Sequence, residues 1–229
     1  APVVAAPNCS GSGTMSTEGG VVRLTPGTHP ARSISGNNNV IFEPGNYCFT
    51  DSLSINGNYT VTANNVQFNM SSNKNISLNG NLTFNGGNSL FYLHSGTFIL
   101  DGNAKIDIPG STVYIESGDF KINGNMNPKI ISSQTSIVYL GSGKLHFNGN
   151  STLNSSNTVF YLNSGSMRWN GNTKLVMDPP DDGAYAGLLI YMPVTNTSDL
   201  TINGNSGASL TGSIIAPGAG VNIIGNSGT

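Results

Sequence analysis

The chain has 229 residues, of which only 9% are charged, and its formal net charge is −2. Phosphate binding needs clustered Lys and Arg, so this balance argues against a nucleic-acid partner. No stretch approaches the roughly 20 apolar residues of a bilayer-spanning helix, and the length suits one elongated domain.

The chain opens Ala-Pro-Val-Val-Ala-Ala-Pro, which is not a targeting helix, so a processed product or an excised fragment is expected. Residues 1–20, rich in Gly, Ser, Thr and Pro, read as an arm or linker, and residues 21–229 as the folded domain. The only two cysteines, Cys9 and Cys48, are expected to form one disulfide that closes the arm onto the domain. That implies an oxidising, exported setting, the alternative being two buried thiols. With no CxxC and no clustered His, neither a metal nor another cofactor is expected.

From residue 34 onward an Asn-Gly-Asn rhythm governs the sequence. Its glycines are Gly36, Gly57, Gly80, Gly102, Gly124, Gly149, Gly171, Gly204 and Gly225, at intervals of 21, 23, 22, 22, 25, 22, 33 and 21 residues. Each is followed by asparagine: Asn37, Asn58, Asn81, Asn103, Asn125, Asn150, Asn172, Asn205 and Asn226. A repeat of 20 to 50 residues is the signature of a solenoid. Apolar residues stand four and two positions before the glycines, as in Leu53/Ile55, Ile76/Leu78, Phe98/Leu100, Phe120/Ile122, Leu145/Phe147, Met167/Trp169, Leu200/Ile202 and Val221/Ile223. That alternation is a strand signal. Four positions after the glycine comes a second inward candidate: Val40, Val61, Phe84, Ile106, Leu153 and Leu175, with Pro128 as the departure.

A further strand recurs in the middle repeats as Leu-Phe-Tyr-Leu at 90–93, Thr-Val-Tyr-Ile at 112–115, Ile-Val-Tyr-Leu at 137–140 and Val-Phe-Tyr-Leu at 159–162. Three short strands in about 22 residues make one coil of an all-β parallel β-helix, or β-solenoid, here with nine coils. Its expected hand is right, by the handedness of parallel crossovers. At about 4.8 Å per stacked strand the rod would be roughly 43 Å long. The Asn and Gly at each corner suit a left-handed turn, and stacked asparagines can hydrogen-bond from coil to coil. Residues 178–198, beginning Asp-Pro-Pro-Asp-Asp-Gly, read as an inserted loop.

Few residues remain for chemistry. A polysaccharide lyase or hydrolase needs paired carboxylates, often with calcium or a basic residue. Only Asp178, Asp181 and Asp182 cluster, in a loop where a solvated turn is the plainer reading, so no catalytic residue is assigned and no enzyme is expected. His29, His94 and His146 fall in different coils and read as structural. Calcium-binding Gly-Gly-x-Gly-x-Asp repeats are absent, and Thr60-Val61-Thr62 fits a Thr-x-Thr ice-binding face without forming the repeated array such a face needs. Tyr92, Tyr114, Tyr139 and Tyr161 occupy equivalent positions between apolar neighbours, so period two turns them outward. This row is a candidate surface for stacking sugars or another chain, the plainer alternative being cross-strand stabilisation. Asn-x-Ser/Thr sequons at Asn8, Asn58, Asn69, Asn75, Asn81, Asn150, Asn154 and Asn196 are candidate glycosylation sites, in numbers that chance alone predicts.

The segments Tyr185-Ala-Gly-Leu-Leu-Ile-Tyr, Leu200-Thr-Ile-Asn-Gly-Asn-Ser, Leu210-Thr-Gly-Ser-Ile-Ile-Ala-Pro and Val221-Asn-Ile-Ile-Gly-Asn-Ser-Gly carry a resemblance. Over about residues 185–228 the chain resembles the C-terminal repeat region of bacterial Flp/Tad pilus-assembly proteins of the TadE/TadG-like type. The resemblance implies an exported, cell-surface protein tied to pili or envelope structures. It offers no catalytic residues to carry over, and the hydrophobic N-terminal helix of such proteins is missing here. The expected role is a structural subunit that assembles head-to-tail through Val221, Ile223 and Ile224, with itself as partner. The alternatives are a monomeric adhesin or carbohydrate-binding module using the tyrosine row, and a polysaccharide-acting enzyme.

Overall fold

The computed structural model describes residues 1–125, 127–170, 174–204 and 208–225. Among these residues the chain is all-β apart from one 3-10 turn at Gly183–Tyr185. Parallel strands stack into nine coils with three faces, a β-solenoid. The first coil is Val21–Leu24 on face one, Gly27–His29 on face two and Arg32–Gly36 on face three. The ninth is Ser209–Leu210, Ser213–Ile215 and Val221–Gly225. Nine strands make face three, and faces one and two form one 17-stranded sheet. They are continuous because single strands, Asn127–Leu140 and Thr152–Leu162, turn the corner in coils six and seven.

The repeat sets the register. Gly36 pairs with Gly57, Gly57 with Gly80 and Gly204 with Gly225, so the apolar positions before them stack in columns. Leu53, Ile55, Ile76, Leu78, Leu145, Met167, Trp169 and Leu200 are buried, as are Val40, Val61, Phe84, Ile106, Leu153 and Leu175. Inside, rings stack from coil to coil: Phe98 lies 5.1 Å from Phe120, and Phe147 lies 5.1 Å from Trp169. No single coil could bury this column, so stacking supplies the core.

The corners follow the Asn and Gly chemistry. Gly36, Gly80, Gly102, Gly124 and Gly149 have φ between 77° and 115°. Close packing adds a second requirement: a Cβ on Gly118, where φ is 132°, would lie 1.8 Å from the Gly96 carbonyl oxygen. Asparagine ladders form on both sides of the repeat glycine. Asn81 Nδ2 donates to Asn58 Oδ1 at 2.9 Å, and Asn103 Nδ2 to Asn81 Oδ1 at 2.9 Å. The preceding column joins Asn148 Nδ2 to Asn123 Oδ1 at 3.1 Å and Asn170 Nδ2 to Asn148 Oδ1 at 3.4 Å. Asn125 and Asn150 stand at corners, whereas the repeat positions Gly171, Asn172, Asn205 and Asn226 lie outside the described residues.

Departures from the 22-residue period have local causes. The 25-residue interval before Gly149 is absorbed on the strand Asn127–Leu140, whose register against the next coil shifts between Ile131 and Ser136. The 33-residue interval becomes two excursions, one either side of the strand Leu188–Tyr191.

The arm does not dangle. Met15–Glu18 pairs antiparallel with Val21–Leu24 through a two-residue turn. Gly19 (φ 56°) and Gly20 (φ 75°) give that turn two left-handed residues, the hairpin geometry that matches strand twist. Thr28 is bracketed by the arm, donating to Gly11 O and accepting from Gly13 N at 2.9 Å each. Cys9 and Cys48 form a disulfide.

Candidate functional site

Three regions of the rod stand out. The first is the outward column of face two. Pairing aligns Cys48, Asn69, Tyr92, Tyr114, Tyr139, Tyr161, Tyr191 and Ile215 in consecutive coils. The tyrosine rings stack at centroid distances of 5.0, 4.4, 5.5 and 4.8 Å. The row expected from the sequence therefore exists, but as a surface for stacking sugars it needs correction. Tyr92, Tyr139 and Tyr161 are buried, at 5%, 7% and 8% exposure, while Tyr114 and Tyr191 are half-buried, so stacking ring on ring leaves little free ring face along the row. Burial pushes their hydroxyls above the ordinary tyrosine range, and Tyr92 is pushed further by Glu116, which accepts its hydrogen bond. His94 Nδ1 pairs with Glu116 Oε2 at 3.0 Å. At the start of the column Asn69 Nδ2 donates to Pro7 O and Asn46 Nδ2 to Asn8 O, both at 2.8 Å. The segment around Cys9 thus climbs from coil two to coil three toward Tyr92.

The second region is the pair of rod ends. At the first coil the arm covers the edges of faces one and two, leaving Arg32–Gly36 as the outermost strand of face three. At the ninth coil Val221 (43%), Ile223 (60%), Ile224 (61%) and Ile215 (45%) are exposed. In coils two to eight the residues equivalent to Val221 and Ile223 are core; in coil one they are the half-buried Arg32 and the buried Ile34.

The third region is a groove of about 520 Å³ on face three across coils six to eight, lined by Lys144, His146, Arg168, Asp199, Thr201 and Asn203. Register brings its charges together: Lys121 pairs with His146, His146 with Arg168, and Arg168 with Thr201. Lys121 Nζ pairs with Asp119 Oδ2 at 3.0 Å, and the Lys144 amide donates to Asp119 Oδ1 at 2.8 Å. Among the described residues no carboxylate lies within ion-pair distance of the Lys144 ammonium or the Arg168 guanidinium. Burial lowers the His146 pKa first, Asp119 opposes that, and Lys144, Lys121 and Arg168 add to it, so the ring is neutral near pH 7. Asn203 Oδ1 is buried and has no hydrogen-bond partner among the described residues.

The other sequence candidates disperse. Asp181 and Asp182 are exposed in their loop and Asp178 is half-buried. Among the described residues no group of three or more His, Cys, Asp or Glu side chains could hold a metal. No helix among them is long and apolar enough to cross a membrane. His29 is fully buried between Tyr47 and Phe49, with ring centroids 5.4 and 5.3 Å away, and Nε2 lies 2.9 Å from Thr25 O.

Asn196 is a correction: it is buried and its amide donates to Leu162 O at 2.8 Å and Gly165 O at 2.9 Å, leaving no room for a glycan. Asn69 is committed to the arm, and Asn75 Oδ1 accepts from Thr97 N at 2.7 Å. Asn150 is exposed and Asn154 half-buried.

Reading the sequence by candidate clusters missed the groove. The signal lies three positions before each repeat glycine, in the column Ser33, Ser54, Ser77, Ile99, Lys121, His146, Arg168, Thr201 and Asn222. Comparison with family models, with curated proteins and with solved structures finds no match.

Proposed function

We propose that this protein is a non-enzymatic structural subunit of the cell exterior, a rigid β-solenoid that extends a filament or surface layer by stacking head-to-tail. The observation that carries this reading is the match between the two outermost strands of face three. Val221–Gly225 and Arg32–Gly36 are both five residues long, end in a repeat glycine and pair parallel with their neighbours in that register. Laid against one another they place Ile223 opposite Ile34 and Gly225 opposite Gly36, continuing one interior column, with Val221 opposite Arg32 in the other. An open strand edge with exposed isoleucines is a template for a further strand, and the next subunit supplies it. The disulfide between Cys9 and Cys48 supports an oxidising, exterior setting.

In this arrangement the arm is a cap. Met15–Glu18 adds an extra layer on face one, so it must leave before Ser209–Leu210 of the preceding subunit can pair there. Sedimentation velocity over a range of concentrations tests the scheme. The native protein should grow into larger species and Ile223→Asp should stay at one small size with its coils intact. Equal growth of both proteins would rule out the C-terminal joint. Gly19→Val with Gly20→Val, which disfavours the two left-handed turn residues, should release the arm and shift growth to lower concentration.

A further inference from the structure

We propose that the groove on face three is a binding site for a carboxylated polysaccharide of the uronate class, held by Lys144 and Arg168. This goes beyond end-to-end assembly and does not depend on it. The site is built by the solenoid itself. Lys144 pairs with Ser166 and His146 with Arg168, so cations from adjacent coils share one wall. Lys121 and Arg168 are two coils apart, about 9.6 Å at the usual strand spacing, a span comparable with a disaccharide. Lys121 is already neutralised by Asp119 at 3.0 Å, whereas Lys144 and Arg168 are exposed and make no ion pair among the described residues.

Arg168 is also oriented. Its Nε lies 3.2 Å from Asn170 Oδ1, which fixes the guanidinium plane and leaves its terminal nitrogens for a ligand. A planar fork suits the two oxygens of a carboxylate. The coil-eight side of the groove suits hydroxyls. Asn203 Nδ2 donates to Trp169 O at 3.1 Å, while Asn203 Oδ1 is buried without a donor. That oxygen is closed off from solvent, so the hydroxyls of Ser166 and Thr201, which line the groove, are the groups offered to a sugar. Asp199 on the same side accepts hydroxyls and repels carboxylates, which sets the ligand's acid group on the Lys144 and Arg168 wall.

The chemistry separates this ligand from its rivals. Hydrolysis of a glycosidic bond by the usual route needs two carboxylates flanking it, and Asp199 is the groove's one lining carboxylate among the described residues. Single-stranded nucleic acid is held by aromatic platforms, and no aromatic ring other than His146 lines the groove among the described residues.

Affinity electrophoresis in gels containing polygalacturonate, neutral dextran or dextran sulfate tests the proposal, with a thymidine oligonucleotide titrated separately. Polygalacturonate should retard the native protein, more strongly than dextran sulfate, and dextran should not. Lys144→Gln with Arg168→Gln should weaken retardation at least about tenfold, as expected for charge-assisted hydrogen bonds. Lys174→Gln, an exposed lysine on face one, should leave it unchanged. All three substitutions are on the surface, and unchanged thermal unfolding would show that the coils are intact. The proposal fails if polygalacturonate does not retard the protein, or if dextran sulfate retards it more. It fails equally if Lys174→Gln matches the double variant or if the oligonucleotide binds in place of the uronate polymer.

Discussion

At the residue scale, the coil spacing of about 4.8 Å leaves no slack at the inner corners. Gly118 is the sharpest case, with φ 132° and the Gly96 carbonyl oxygen 1.8 Å from where a Cβ would stand. Gly118→Ala should therefore destabilise the rod by about 2 kcal/mol or more, combining backbone strain with a clash between coils. Urea unfolding measures it, and a change within about 0.5 kcal/mol would contradict the packing argument. His29 gives a pH dependence with a definite sign. Burial holds its folded pKa below the ordinary 6.5, with Arg32 adding to the effect and the bond to Thr25 opposing it. The unfolded chain then binds the proton more readily, so the contribution is fully present above pH 6.5 and is lost as pH falls below that value toward the folded pKa. The slope approaches about 1.4 kcal/mol per pH unit at most. His29→Phe, with nothing to titrate there, should lose that component when stability is compared between pH 7 and pH 5.

At this scale the sequence was legible where one residue type answers one demand, as with glycine and asparagine at the corners. It was not legible where a site is made by stacking. Lys121, His146 and Arg168 are more than 20 residues apart along the chain and become neighbours only once the register is fixed.

At the element scale, period two and the 22-residue repeat together fixed which side of each strand is buried, and the inward columns follow the reading closely. The hairpin of the arm escaped it, because Met15-Ser-Thr-Glu18 is exposed throughout and carries no apolar alternation. The tyrosine row was placed on the right side of its strand, but its burial depends on neighbours in other coils, which a single strand does not reveal. Tyr114 stacks on both Tyr92 and Tyr139, and each such pair is worth about 0.5–1.5 kcal/mol. Tyr114→Ala should thus cost at least about 1–3 kcal/mol in thermal or denaturant unfolding. A neutral result would mean that the column carries no stability. The disulfide ties the arm to coil two across 39 residues. In the chain-entropy account such a loop is worth about 4 kcal/mol, so Cys9→Ser with Cys48→Ser should lower stability by up to that amount. Loss of amide protection confined to the arm and the first two coils would localise the effect.

At the scale of the whole molecule, the two ends differ. One is closed on two faces by its own arm, and the other presents Ile215, Val221, Ile223 and Ile224. In the proposed stacking, growth would be governed by how easily the arm lifts from face one. Because His29 packs beneath Gly13 of the arm, its protonation at low pH should loosen the cap as well as the first coil. The basic groove lies on face three across coils six to eight, away from both ends, so the proposed stacking would leave it open.

Electron microscopy of the purified protein over a range of concentrations tests the central claim most directly. Head-to-tail stacking predicts thin unbranched fibres with an axial repeat of about 43 Å, nine coils at about 4.8 Å each, appearing at lower concentration for the Gly19→Val/Gly20→Val variant. Isolated short rods at every concentration, with the arm released as well as in place, would contradict it.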